Sequence, residues 1–266
     1  MGECVVASCR VPSSALASSA ALPMPPGVHR VGGLPAMLVV ASYEASPVGP
    51  YRELAIAVPA RLGVRPGLCV VLSVVDCVDA RAAYREQWSL PTELGRLRWS
   101  TSLSRVVCSW LDGGVEVLAD VAGRGRGLAG ARLPVALPAR SLQRRADGPV
   151  VLPRWLWGWA RAARVSVSVA GDAETRAGSG FARAAPSVAW LAGPHAGFVV
   201  SSMRVAASPA RHPTGLLSSL RAPTVAGAGG GTAEPALSES RATVKWPAQP
   251  CWSFGGIGRL VGLPGA

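Results

Sequence analysis

The chain has 266 residues, 49% of them hydrophobic, and 27 Lys and Arg against 15 Asp and Glu give a net charge of +12. That length suits one sizeable domain with tails, and the apolar fraction with its positive mean hydropathy excludes a disordered polyelectrolyte. No stretch reaches the ~18 uninterrupted apolar residues of a membrane-spanning helix, so no membrane partner is expected.

Residues 1–35 are rich in Ala, Ser, Pro and Gly without a sustained period, and are expected to form a disordered tail. Arg10 and the run from Ala15 to Leu22 imitate a signal peptide faintly, but Ser18 and Ser19 break the apolar segment. Met24 and Met37 are alternative starts on this reading. Met37 to Ser42 and Leu54 to Val58 are short apolar runs separated by Ser46-Pro47-Val48-Gly49-Pro50, and Leu68 to Val75 is a valine-rich run of strand length. A helix is predicted from Ala80 to Trp88, with Asp79 as N-cap and Pro91 beyond its end.

Val106, Cys108 and Trp110 alternate with polar or intervening residues, Asp112-Gly113-Gly114 supplies a turn, and Val115, Val117 and Ala119 resume the alternation, which predicts a β-hairpin. Gly125 to Gly130 satisfies GxGxxG, but Pro134 and Pro138 forbid the helix that a dinucleotide site needs, so no cofactor is expected. Trp155, Trp157 and Trp159 fall two apart and read as packing on one sheet face or on a partner subunit. Val165, Val167 and Val169 oppose Ser166 and Ser168 across a half-exposed strand, and Phe198 to Val205 makes another. Residues 224–266 are Gly-, Ala- and Pro-rich and are expected to be a second disordered tail.

The six cysteines include no CxxC pair and no His at zinc-finger spacing, and His29, His195 and His212 are isolated from one another. This suits reduced thiols in a cytoplasmic protein without a metal centre. Lys245 is the chain's only lysine and asparagine is absent, a bias of GC-rich coding that raises arginine by itself. With the arginines dispersed, nucleic acid is not an expected partner.

Two motifs carry the functional signal: Ser46-Pro47-Val48-Gly49-Pro50-Tyr51-Arg52-Glu53-Leu54, and Arg85-Glu86-Gln87-Trp88-Ser89-Leu90-Pro91-Thr92-Glu93-Leu94-Gly95. Together, and at this spacing, they resemble the acetoacetate decarboxylase superfamily, with weaker similarity at Ser141 to Pro149 and Ser208 to Ala210. The resemblance implies a mainly β fold, an antiparallel barrel with one or two short helices over residues 36–223, and a small-molecule pocket in a homo-oligomer. It also implies site residues: Glu53, Thr92 and Glu93 at catalytic positions, and Tyr51, Arg85, Glu86 and Trp88 at substrate-binding ones.

The departures from the family pattern matter most. Thr92 falls where the family places the Schiff-base lysine and Glu93 where a second lysine often stands; Tyr84 replaces a glycine and Leu38 an acid. A hydroxyl cannot form the iminium that accepts electrons as carbon dioxide leaves. The expected function is therefore binding of a small keto- or carboxylate-bearing metabolite, with acid-base chemistry through Glu53 and Glu93 and with Arg85 as a carboxylate clamp. Leu54 and Ile56 beside Glu53 suggest its partial burial. The alternative is a non-catalytic interaction module with a decayed pocket.

Overall fold

The structure, a computed structural model, describes residues 1–13, 15, 24–121, 132–146, 148–170 and 188–207. All of them belong to the first of two compact units, Met1–Ala222; the second, Pro223–Ala266, lies outside the described residues. The GxGxxG stretch, Ser208 to Ala210, His212, Cys251 and Lys245 also lie outside them.

The strands are β1 (Gly2–Cys9), β2 (Val28–Arg30), β3 (Ala36–Tyr43), β4 (Tyr51–Leu62), β5 (Arg65–Val75), β6 (Thr92–Leu94), β7 (Leu97–Thr101), β8 (Arg105–Trp110), β9 (Val115–Val121), β10 (Leu133–Arg145), β11 (Gly148–Val169) and β12 (Gly193–Ala207). Helix α1 (Val78–Trp88) joins β5 to β6. The sheet runs β10-β5-β4-β3-β1-β12-β11-β9-β8-β7, and β10 also pairs with β11, which closes the first seven strands of this order into a ring. Strand β11 makes both arrangements at once: residues 148–160 pair with β10, and residues 163–169 pair with β9. The ring joint between β5 and β10 is slight, a single parallel bridge between Ser141 and Leu68 beside a hydrogen bond from Gln143 Nε2 to Val70 O at 3.2 Å. The mainly β, largely antiparallel architecture is the expected fold class.

Period-2 alternation sends β1, β3, β4 and β5 into two interiors. Val5, Ala7, Leu38, Val40, Leu54, Ile56 and Val58 face the larger core, shared with Val106, Cys108 and Trp110 of β8 and Val115 and Val117 of β9. Burying each such Val or Leu contributes about 1.5–3 kcal/mol. The opposite face carries Cys4, Val6 and Ala41 beside Val200 and Met203, and Tyr51, Ala55, Ala57 and Val75 beneath Ala80 and Tyr84 of α1. A register shift opposite Ile56 and Ala57 leaves Val71 as an extra residue in β5, so Val71 and Leu72 both reach the larger core.

Several expectations need correction. Residues 2–9 are not a tail: β1 lies between β3 and β12, and Cys4, Val5, Val6, Ala7 and Cys9 are buried. Its alternation is hidden because both faces are covered over Cys4–Ala7, where every residue is small or apolar and buried. The helix begins at Val78, with Cys77 at the N-cap and no side-chain cap; Asp79 sits inside the first turn. Strand β10 carries Pro134 and Pro138 within its pairing to β11, and among the described residues its other edge is unpaired there, as suits a proline-bearing strand. The predicted hairpin is β8–β9, turning through Asp112-Gly113-Gly114 with Gly114 at a φ of 62°.

Candidate functional site

Glu53 is the third residue of β4, opposite Ala41 of β3 and Val75 of β5, and only 4% of it is exposed. Leu54 and Ile56 do not bury it. They point into the larger core, whereas Glu53 faces the second interior, where three phenols enclose it. Tyr43 and Tyr51 are cross-strand partners whose rings stack at 4.5 Å, and Tyr84 arrives from α1. The chain has three tyrosines, and all three are here.

Tyr84 Oη donates to Glu53 Oε2 at 2.9 Å and Tyr43 Oη donates to the same oxygen at 3.1 Å. With the Tyr84 proton committed to the carboxyl, Tyr51 Oη donates to Tyr84 Oη at 2.8 Å. Burial raises the Glu53 pKa, and the charge of Arg154 and the donations from Tyr84 and Tyr43 pull it back. Ser73 Oγ lies close enough to lower that pKa as well, but it falls outside hydrogen-bond geometry. Burial and the nearby Glu53 raise Tyr43 and Tyr84 well above the ordinary phenol range and raise Tyr51 too.

Thr92 reaches the same face by a different route. Helix α1 ends at Ser89, whose φ of 54° reverses the chain, and β6 then runs parallel to β5 so that Thr92 pairs with Ser73. Ser73 in turn pairs with Ala55, two residues along the Glu53 face. Thr92 is fully buried, and among the described residues neither its Oγ1 nor Ser73 Oγ has a hydrogen-bond partner. Two buried hydroxyls without partners beside a buried acid make a polar patch in an otherwise apolar wall.

The remaining sequence candidates divide. Tyr51 and Trp88 belong to the site, Trp88 packing on Tyr84 at 4.8 Å. Glu93, next to Thr92 in β6, faces the other way and forms a half-exposed ion pair with Arg85 at 2.5 Å. Arg85 also donates from Nε to Thr92 O at 2.6 Å, so it ties β6 to α1. Glu86 is exposed, and its carbonyl accepts from Arg145, which also bonds Ser89 Oγ and Gln87 O and so braces the end of the helix. Leu38 lies in the larger core.

Sequence reasoning missed Tyr43, Ser73 and Arg154, and took Tyr84 only as a lost glycine. The concentration of every tyrosine around one acid was a signal available in the composition. Arg154 of β11 sits with its Cζ 5.3 Å from the centre of the Trp88 ring. Its position, a hundred residues beyond Glu53, depends on ring closure and has no local signature.

The described thiols are free, and burial pushes Cys4, Cys69 and Cys108 up to about 12, which leaves them inert as nucleophiles. His195 spends its Nε2 on Leu191 O at 2.7 Å.

Comparison with known sequences and structures bears on this arrangement. The sequence profile of the family described as Acetoacetate decarboxylase (ADC) matches residues 3–175. The acetoacetate decarboxylase of Legionella pneumophila is 15% identical over 78% of this chain and 85% of its own, with a TM-score of 0.44. The enduracididine biosynthesis enzyme MppR, in a structure complexed with pyruvate, is 16% identical over 77% of this chain and 88% of its own, with a TM-score of 0.46. An acetoacetate decarboxylase-like enzyme from Sphingomonas wittichii RW1 is 14% identical over 78% and 90%, with a TM-score of 0.40. Comparison with curated proteins returned no match.

Proposed function

The chain belongs to the acetoacetate decarboxylase family, and on that premise we propose that it binds a small keto- or carboxylate-bearing metabolite in the cytoplasm and acts by proton transfer through Glu53, without Schiff-base decarboxylation. One observation carries the reading. Glu53 is buried, raised in pKa and held through Oε2 by two phenols, beside the unpartnered hydroxyls of Ser73 and Thr92. Oε2 is fixed as an acceptor, which leaves Oε1 to carry or receive a proton. A pKa raised above the ordinary carboxylate range suits a group that must exchange that proton. Thr92 offers a hydroxyl to a ligand oxygen and no amine to a ketone. Glu93 has no part in this chemistry because its carboxylate is committed to Arg85 on the far side of β6.

The test is reduction with borohydride in the presence of acetoacetate or pyruvate, followed by intact-mass analysis. No adduct is expected on the folded chain, while keto and hydroxy acids raise its melting temperature. An adduct mapped to Lys245 overturns the reading, as does the absence of any thermal shift across the acids.

A separate observation favours self-association. Trp155 and Trp159 are 45% and 43% exposed on the outer face of β11, opposite Pro138 and Pro134 of β10. Exposed indoles flanked by prolines form an apolar surface suited to a second copy of the chain. Sedimentation velocity should show an oligomer that Trp155→Ser with Trp159→Ser dissociates; a wild-type monomer removes the proposal.

A further inference from the structure

Arg154 is the cation closest in effect to the site. Its charge lowers the pKa of Glu53, Tyr43, Tyr51 and Tyr84, so all four ionisable groups of the cluster sense it. It projects from β11 between Ala139 of β10 and Ala207 of β12, neighbours too small to reach its head group. The guanidinium carbon lies over the Trp88 ring, 5.3 Å from its centre, a cation–π contact that consumes no N–H donor. On one edge, Nε and Nη2 are both buried and have no acceptor among the described residues.

Those two nitrogens are not an arbitrary pair. Their N–H bonds run parallel in the guanidinium plane, at the spacing of the two oxygens of a carboxylate. Glu53 does not fill this fork, because its Oε2 is taken by Tyr43 and Tyr84 and the pair forms no salt bridge. Burying such an edge empty is unfavourable, and a ligand that supplies both oxygens relieves it.

We propose that the Nε–Nη2 edge of Arg154 is the carboxylate anchor of the binding site, so that a small oxo or hydroxy acid binds with its carboxylate on Arg154 and its oxygenated carbon toward Glu53 and Thr92. This rests on the ligand-binding reading above and adds to it the residue that selects an acid over its neutral counterpart. It also takes the place of the clamp expected at Arg85, whose Nε–Nη2 edge already donates to Thr92 O and Glu93. Arg154 thereby acts as a specificity-determining residue, while the proton-transfer role stays with Glu53.

The experiment is calorimetric titration of the full chain with pyruvate, acetoacetate and L-lactate, and with lactamide as the uncharged counterpart of lactate, on wild type, Arg154→Gln and Arg154→Lys. Wild type should bind lactate at least about 30-fold more tightly than lactamide, the scale for losing one partner of a buried charge pair. Arg154→Gln should lose that discrimination, and Arg154→Lys, which keeps the charge without the fork, should fall between them. Equal affinity of wild type for lactate and lactamide overturns the anchor without any variant, which keeps the proposal testable if Arg154→Gln fails to fold. Undiminished lactate binding by a folded Arg154→Gln overturns the anchor and leaves the ligand-binding reading standing. Failure of wild type to bind any of the acids removes both.

Discussion

Replacing Tyr84 with phenylalanine keeps the ring on Trp88 and deletes a single oxygen, so its effect on the acid beneath can be worked through. The bond to Glu53 Oε2 at 2.9 Å is lost, and Tyr51 Oη loses the acceptor it held at 2.8 Å. A hydrogen bond to a charged group contributes about 1.5–3 kcal/mol and one between neutral groups about 0.5–1.5 kcal/mol. The stranded Tyr51 hydroxyl costs a further 1–3 kcal/mol or so in either state. Tyr84→Phe should therefore destabilise by about 4 kcal/mol where Glu53 is ionised and about 2–3 kcal/mol where it is protonated. The sign follows from linkage. The folded pKa of Glu53 lies above its reference of 4.5, so its favourable contribution is full below 4.5 and is lost as pH rises through the folded value. Tyr84 donates to the carboxylate and lowers that value, so removing it moves the loss to higher pH and deepens it. Urea denaturation of both proteins across a pH series upward from the reference pKa reads this directly, as a gap between midpoints that widens with pH at constant m. A gap that is flat, or that widens toward acid, refutes the assignment of Tyr84 as a donor to Glu53.

Three other outcomes are expected. Glu53→Gln should remove the Glu53 share of the pH dependence: wild-type stability falls as pH rises through the folded Glu53 pKa, the variant keeps only the shallower fall left by Glu3, whose pKa burial also raises, and the two curves separate in its favour at high pH. Thr92→Lys places an amine in the polar patch and should create a borohydride-trappable adduct with acetoacetate, checked by peptide mass; a folded variant with no adduct means that ligands do not reach Thr92. Deleting residues 1–23 removes β1 from between β3 and β12 and exposes two facing strand edges. Its two valines alone are worth about 3–6 kcal/mol, against a typical total of about 5–15 kcal/mol. Circular dichroism should show no cooperative unfolding in the truncated chain.

What could be read in the sequence was what is local. The β8–β9 hairpin announces itself through alternation and a glycine turn, and the two motifs, one holding Glu53 and the other Thr92, contain residues that β4, β5 and β6 bring to one face of the sheet. What failed was whatever depends on which face a strand presents and what lies across it. The apolar neighbours Leu54 and Ile56 suggest burial of Glu53 by adjacency, whereas a pleated strand turns them to the opposite face. Glu93 was grouped with Thr92 for the same reason, by adjacency along a strand whose neighbours point oppositely. Strand β1 was read as a tail because, covered on both faces, it lacks the alternation that a half-exposed strand displays. Arg154 was invisible because only closure of the ring through β10 and β11 carries it to Trp88.

Strand β4 is a partition whose alternate residues belong to different rooms: Glu53 and Ala55 to the polar one, Leu54 and Ile56 to the aliphatic one. Drift by substitution can therefore remodel the binding chemistry freely, since any residue on the polar side is exchanged without disturbing the other. Drift by insertion or deletion cannot. A frame slip of one residue would send the carboxylate and the Tyr51 phenol among valines and leucines and turn Leu54 toward Tyr43 and Tyr84, two penalties at once. Divergent relatives of this chain should vary widely in what β4 carries toward the ligand and hardly at all in its length.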